Sequence, residues 1–272
     1  MRKLLSADIH RLFKSRVLLF CMLAAFVSSL WFSIRYTLGD EVKLVSWSRI
    51  MQMFPFLPIL HAVFASLFIG VEYQDRTLRN KLICGHSRVA ICCSLLLTVT
   101  LGCFAIVAAW VLGGAAGMGL MIAEFVELPK TLPFYVIGII LLTAAVSAIL
   151  TTVGMLVPNR AVAAVTAVLL AFGLILLGGA IYSALCEPST TMPAIVIDGG
   201  IGFGDPEPNP RYVSGVLRDV YNFLMDVLPS GQALLLANRE FAHPAVSLIS
   251  SALIFLAVSA VCAIIFRRKD LK

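Results

Sequence analysis

The chain has 272 residues, of which 60% are hydrophobic and only 13% are charged, and its formal net charge is +6. Soluble globular domains carry about twice that share of charged residues. The composition therefore excludes an ordinary soluble enzyme and predicts an integral membrane protein.

The first sixteen residues are expected to form an amphipathic helix that lies on the inner leaflet. Leu5, Ile9, Leu12 and Phe13 fall on one helical face, and the charged side chains of the segment 1–16 lie elsewhere. The alternative is a polar tail in which this periodicity arises by chance.

Six apolar runs follow, and most of them approach or exceed the roughly 20 residues that a helix needs to cross the hydrocarbon core. We predict transmembrane helices over 17–34, 50–70, 89–112, 132–156, 161–185 and 246–266. With both termini cytoplasmic, fourteen of the 21 basic residues lie inside, as the positive-inside rule requires. The predicted fold class is an all-α integral membrane protein. This topology accounts for the positive net charge, so no nucleic-acid partner is implied.

The charged segment 71–88 lies between the second and third runs and is predicted to be a cytoplasmic helix in water. Glu72 precedes Arg76 by four residues, and Asp75 precedes Arg79 by the same spacing. An acid four residues before a base favours a helix, because the two side chains share a face.

The longest segment outside the spans, 186–245, has two halves. The first is rich in proline and glycine, so we expect an irregular loop. The stretch 213–228 has helical apolar periodicity and predicts an amphipathic helix at the outer interface that stops at Pro229. The apolar patch 233–237 that follows favours a short re-entrant turn. The outer helix either caps a substrate path or only stabilises the last span.

The chemistry that the sequence lacks narrows the function. The dipeptide Gly-Lys does not occur, so the chain has no phosphate loop for ATP, and no zinc-protease or serine-hydrolase motif is present. The six runs contain no Asp, Glu, Lys or Arg, which disfavours an ion-driven pump. Cys84, His86, Cys92 and Cys93 fit no standard zinc spacing. We therefore expect no enzymatic activity, no metal and no cofactor bound by this chain.

Small and hydroxyl-bearing residues occur within the runs at helical spacing. Gly113 and Gly117 form a GxxxG pattern, which is typical of helices that pack closely within a bundle or between copies of a chain. Thr143, Ser147 and Thr151 would give a modestly polar path. Such a path suits an amphipathic or lipid-like cargo better than an ion.

The order of these elements resembles the permease subunits of type-2 ABC exporters, particularly the small bacterial ones that pair with a separate ATPase in antibiotic or bacteriocin resistance. The residues that carry the resemblance are Gly70, Glu72, Tyr73, Thr77, Leu78, Arg79, Asn80, Lys81, Ser87 and Arg88. In that family this stretch is similar to the coupling helix, which docks in a cleft of the ATPase. Arg76 departs from the pattern, because the family commonly has glycine before the threonine.

The resemblance implies that the chain forms half of an export path for an amphipathic or lipid-like substrate. Its partners would be an ABC ATPase, which binds the ATP and Mg²⁺, a second permease copy or a homologue, and the lipid bilayer. The implied docking residues are Glu72, Tyr73, Asp75, Arg76, Thr77, Leu78, Arg79, Asn80, Lys81 and Leu82. A proline at Thr77 is expected to break the docking helix. The alternatives are a membrane scaffold or sensor that recruits a cytoplasmic partner, and a passive channel or carrier.

Overall fold

The computed structural model describes residues 2–38, 44–45, 51, 53–120, 124–125, 132–197, 200–238 and 243–268. The expected start of the second span at residue 50 lies outside these ranges, as do residues 269–272.

The described residues form ten α-helices and one short 3₁₀ helix, Phe54–Phe56. The helices are α1 (Arg2–Phe13), α2 (Arg16–Leu38), α3 (Leu57–Gln74), α4 (Thr77–Ile83), α5 (Arg88–Leu120), α6 (Leu132–Leu156), α7 (Arg160–Cys186), α8 (Val216–Val227), α9 (Pro229–Asn238) and α10 (Pro244–Arg268). Six of them, α2, α3, α5, α6, α7 and α10, are long and apolar enough to cross a membrane. They match the six predicted runs and support a multi-pass membrane protein.

The six long helices form a bundle with three at the centre and three at the periphery. More than half of the apolar window is buried in α3, α5 and α6, whereas the buried share falls to 22% in α2 and α7 and to 11% in α10. Large apolar side chains such as Trp31, Phe172 and Leu256 are therefore exposed. In a membrane these outer helices would present that apolar surface to lipid, which removes the cost of exposing it to water.

The GxxxG pattern in α5 is used within the chain. A Cβ on Gly113 would collide with the backbone of Phe26 in α2, and a Cβ on Gly117 would stand 2.7 Å from the Cβ of Ser33. The two backbones approach this closely because neither position has a side chain. Of the two interpretations of this pattern, tight packing within the bundle is the one that the structure exhibits.

The N-terminal helix packs differently from the expected arrangement. Its most buried residues are Leu4, Asp8 and Leu12, which repeat every four positions and face α5. Phe13, which was expected on the apolar face, is instead 74% exposed. Asp8, which the sequence pattern places off the apolar face, is buried, and the reason is a set of polar partners that one helix alone does not reveal.

The segment 186–212 is not wholly irregular, contrary to expectation. The strands β3 (Thr190–Thr191) and β6 (Glu207–Pro208) are antiparallel, as are β4 (Ala194–Ile197) and β5 (Gly200–Phe203). The run Ile195–Ile197 is β-branched, which favours an extended conformation despite the prolines around it. A third ladder joins β1 (Leu44–Val45) to β2 (Glu124–Phe125) in parallel.

Two helices complete the segment before the last span. A helix is present within the predicted stretch 213–228 and covers Val216–Val227, and Pro229 begins α9 because proline is well tolerated at a first helical position. The apolar patch 233–237 is the buried second half of α9. Ser230 packs against Gly178 of α7, where a Cβ would stand 2.7 Å from its hydroxyl.

Candidate docking site

The segment between the second and third spans is not one helix over 71–88. Helix α3 ends at Gln74, and α4 begins three residues later at Thr77. Arg76 separates them in the left-handed conformation, with φ 54° and ψ 23°. This conformation is common directly after a helix end, where it usually requires glycine, because a Cβ strains it.

Glu72 lies at the centre of the site and is buried, with 1% of its surface exposed. Its carboxylate pairs with the guanidinium of Arg11 in α1 and with Nζ of Lys81 in α4 at 2.9 Å. The Thr77 hydroxyl also donates to it. The expectation that this segment stands in water was therefore wrong for Glu72.

Asp8, also in α1, extends the same cluster to one further helix, α5. Nζ of Lys81 donates to its Oδ1 at 2.7 Å, and the Ser94 hydroxyl of α5 donates to its Oδ2 at 2.6 Å. Asp8 is 3% exposed. We refer to Asp8, Arg11, Glu72 and Lys81 as the charge cluster. It joins α1, α3 and α4 by ion pairs, and Ser94 attaches it to α5.

The charge cluster contains two acids and two bases, so its formal charges balance. A buried charge is costly unless it is paired and hydrogen-bonded, and here each carboxylate has a cation and a hydroxyl. Arg11 also stacks its guanidinium 4.1 Å from the ring centre of Phe68, a cation–π contact. Neither carboxylate of the charge cluster is therefore left without a cation.

The end of α3 is also attached to the turn between α6 and α7. The Tyr73 hydroxyl donates to the carbonyl of Met155, and Nη1 of Arg160 donates to Oε1 of Gln74 at 3.3 Å. Gly70 admits the Arg160 side chain, whose Cγ would stand 2.5 Å from a Cβ at that position. A displacement of α3 at this end is therefore coupled to the α6–α7 turn.

The ten predicted docking residues divide between two faces. Six are turned toward the rest of the chain, namely Glu72, Tyr73, Thr77, Leu78, Lys81 and Leu82. Four are exposed, namely Asp75, Arg76, Arg79 and Asn80. Leu78 and Leu82 share a face as predicted, but that face packs on the core of this chain. Glu72 and Lys81 belong to the charge cluster: Glu72 pairs with Arg11 and Lys81, and Lys81 also pairs with Asp8.

Sequence reasoning missed three members of this site, Asp8, Arg11 and Ser94, and an exposed apolar residue, Ile83, next to Arg79 and Asn80 in α4. The available signal was the position of Asp8 midway between Leu4 and Leu12, at helical spacing from both. The partners of Asp8 lie far away in sequence, so spacing alone could not supply them.

No family model matches this chain, and no curated protein matches it significantly. The fold is that of a helical, multi-pass membrane protein. Its best-built polar site lies at the end of the bundle that carries α1, α4 and the α6–α7 turn, which we call the charged end. The opposite end, which carries the described residues 186–197, 200–238 and 243, we call the loop end.

Proposed function

We propose that this chain is the membrane-spanning permease subunit of an ATP-driven ABC exporter, located in a bacterial plasma membrane with its charged end in the cytoplasm. A separate ABC ATPase would dock on α4 and hydrolyse ATP with Mg²⁺. A second permease copy or a homologue would complete the translocation path.

The observation that carries the proposal is the mechanical connection of α4. Its outer face is exposed at Arg79, Asn80 and Ile83, whereas Leu78 is buried. On the inner side, Lys81 bonds to Asp8 and Glu72. A partner that moves α4 would therefore also move α1 and the end of α3. A helix connected in this way is suited to transmit the movement of a docked partner to α1 and α3.

The exposed face suggests how an ATPase would be recognised. Arg76 and Arg79 offer two cations, Asp75 one anion, and Ile83 an apolar contact that is 74% exposed. Exposed ion pairs contribute only about 0–1 kcal/mol each, so specificity would come mainly from the shape of α4 and the apolar contact.

The test is purification of the tagged chain from its native membrane in mild detergent, with identification of the recovered proteins by mass spectrometry. Stoichiometric recovery of a protein with a phosphate loop supports the exporter. Recovery of the chain without any ATPase, from membranes in which other known complexes stay intact, contradicts it and favours the scaffold or sensor.

A further inference from the structure

A cavity of about 420 Å³ lies at the loop end, between the last turns of α7 and the helix α8. This volume is within the range of small-molecule sites. Its apolar wall is formed by Tyr182, Leu185, Met225 and Leu235, and its polar wall by Arg218, Asn222, Asp226 and His243, with Cys186 at the end of α7. An apolar wall opposite a few polar groups is typical of a site for a small amphipathic ligand.

Helix α8 directs its polar stripe toward this cavity. Arg218, Asn222 and Asp226 recur every four residues and line it. The apolar side chains Val216 and Phe223 are instead 79% and 60% exposed. An amphipathic helix of a soluble protein would be turned the other way. The orientation of α8 agrees with an apolar face that contacts lipid and a polar face that lines the cavity.

Asp226 is the unusual member of the polar wall. It is 7% exposed, and its carboxylate has two neighbours, the hydroxyl of Ser247 at 3.3 Å and Nδ1 of His243 at 3.2 Å. Among the described residues no Arg or Lys pairs with it. Both carboxylates of the charge cluster, by contrast, have such a partner.

Arg218 does not neutralise Asp226, although the two share one helix. Its Nη1 donates to the carbonyl of Val213 and its Nη2 to that of Leu185, each at 3.2 Å. Eight residues separate Arg218 from Asp226, which is about 12 Å along a helix. The guanidinium therefore closes one end of the cavity, and the carboxylate at the other end has no Arg or Lys partner among the described residues.

We propose that this cavity binds a small amphipathic amine, with its ammonium group on the Asp226 carboxylate and its apolar part on Leu185, Met225 and Leu235. A buried carboxylate that has no Arg or Lys partner gains most from a cationic ligand, because a partner cation offsets the desolvation of its charge. A calcium ion is the poorer fit, since it takes six to eight oxygen ligands and Asp226 is the one carboxylate in this lining. This proposal does not depend on the exporter proposal, because it concerns binding to this chain and can be tested on the purified chain without an ATPase.

Cys186 provides a built-in reporter, because it is an exposed free thiol that lines the cavity. The experiment measures its alkylation by N-ethylmaleimide in lipid nanodiscs, in a background where the other exposed cysteine, Cys84, is serine. The probe is N,N-dimethyl-3-phenylpropylamine, which is a cation at neutral pH. The matched neutral compound is 3-phenylpropan-1-ol.

We expect the amine to slow the alkylation of Cys186 saturably, by about tenfold or more, and the alcohol to leave the rate within about twofold. Asp226→Asn should abolish the protection, while Asp219→Asn, which removes an exposed carboxylate from the same helix, should retain it. Equal protection by the alcohol in the unmodified cavity would overturn the proposal without any variant that might misfold. Full protection of Asp226→Asn would overturn it as well.

Discussion

The carboxylate of Glu72 pairs with the guanidinium of Arg11, which lies 61 positions earlier in the chain. Through this pair the N-terminal helix is attached to the end of the second span, and Lys81 attaches α4 to the same carboxylate at 2.9 Å. The relationship makes α1 part of the candidate docking site. The contribution of these ion pairs to stability can be tested without knowing any partner protein.

Glu72→Gln should destabilise the charged end of the protein. The amide cannot neutralise Arg11 and Lys81, and loss of one partner from a largely buried ion pair costs about 3 kcal/mol. Asp75→Asn, at an exposed position three residues on, should stay within about 0.5 kcal/mol of the unmodified protein. The measurement is the free energy of unfolding by denaturant in mixed micelles.

We also expect Glu72→Gln and Asp75→Asn to differ in the local stability of α1. Hydrogen exchange in residues 2–13 should become faster in Glu72→Gln, because α1 loses its ion pair to α3, and should be unchanged in Asp75→Asn. Equal protection of α1 in both variants would mean that the charge cluster does not hold this helix in place.

Arg76→Gly should stabilise the protein although it removes a side chain. A left-handed conformation costs a residue with a Cβ about 1–2 kcal/mol, and the greater freedom of glycine in the unfolded chain offsets about 0.5–1 kcal/mol of the gain. We expect a net gain of about 0.5–1 kcal/mol. Arg79→Gly, in the interior of α4, should instead cost about 1 kcal/mol. Substitution by glycine should therefore raise the free energy of unfolding at Arg76 and lower it at Arg79. A loss of stability in both variants would refute the left-handed conformation of Arg76.

Gly113→Ala should destabilise the crossing of α2 and α5. The added methyl group would meet the backbone of Phe26, which cannot move as a flexible side chain would, and overpacking of this kind costs about 1–3 kcal/mol. Gly119→Ala, in the same helix with nothing within 4 Å of its Cβ, should gain up to about 1 kcal/mol from helix propensity. Thermal unfolding in detergent compares the two. A similar shift in both would show that Gly113 is not in a close contact.

The spans were predictable because each is a long apolar run whose length a membrane fixes, and α8 because its periodicity is local. The charge cluster was not, because Asp8, Glu72 and Lys81 lie on three helices and each has an unremarkable sequence neighbourhood. Two strong i, i+4 patterns pointed instead to Arg76 and Arg79 as partners of Glu72 and Asp75. The left-handed turn at Arg76 interrupts the helix on which those patterns depend, and nothing in the arginine itself signals that turn.

The structure also changes which substitution tests the docking helix. Thr77 is the first residue of α4, where proline is tolerated, so Thr77→Pro would not break it. Asn80 is the better position, because its side chain is exposed and its backbone N–H donates to the carbonyl of Arg76 at 3.2 Å. A proline there removes that bond and disrupts α4 at a position whose side chain the spans do not contact.

The most direct test of the account is the amount of phosphate-loop ATPase that co-purifies with Asn80→Pro and with its matched control Asn80→Ala. Both variants should insert and fold, as judged by their yield and elution volume. The account predicts that Asn80→Ala recovers the ATPase at the level of the unmodified chain and that Asn80→Pro loses at least about nine tenths of it. Equal recovery by the two variants would show that α4 is not the docking element.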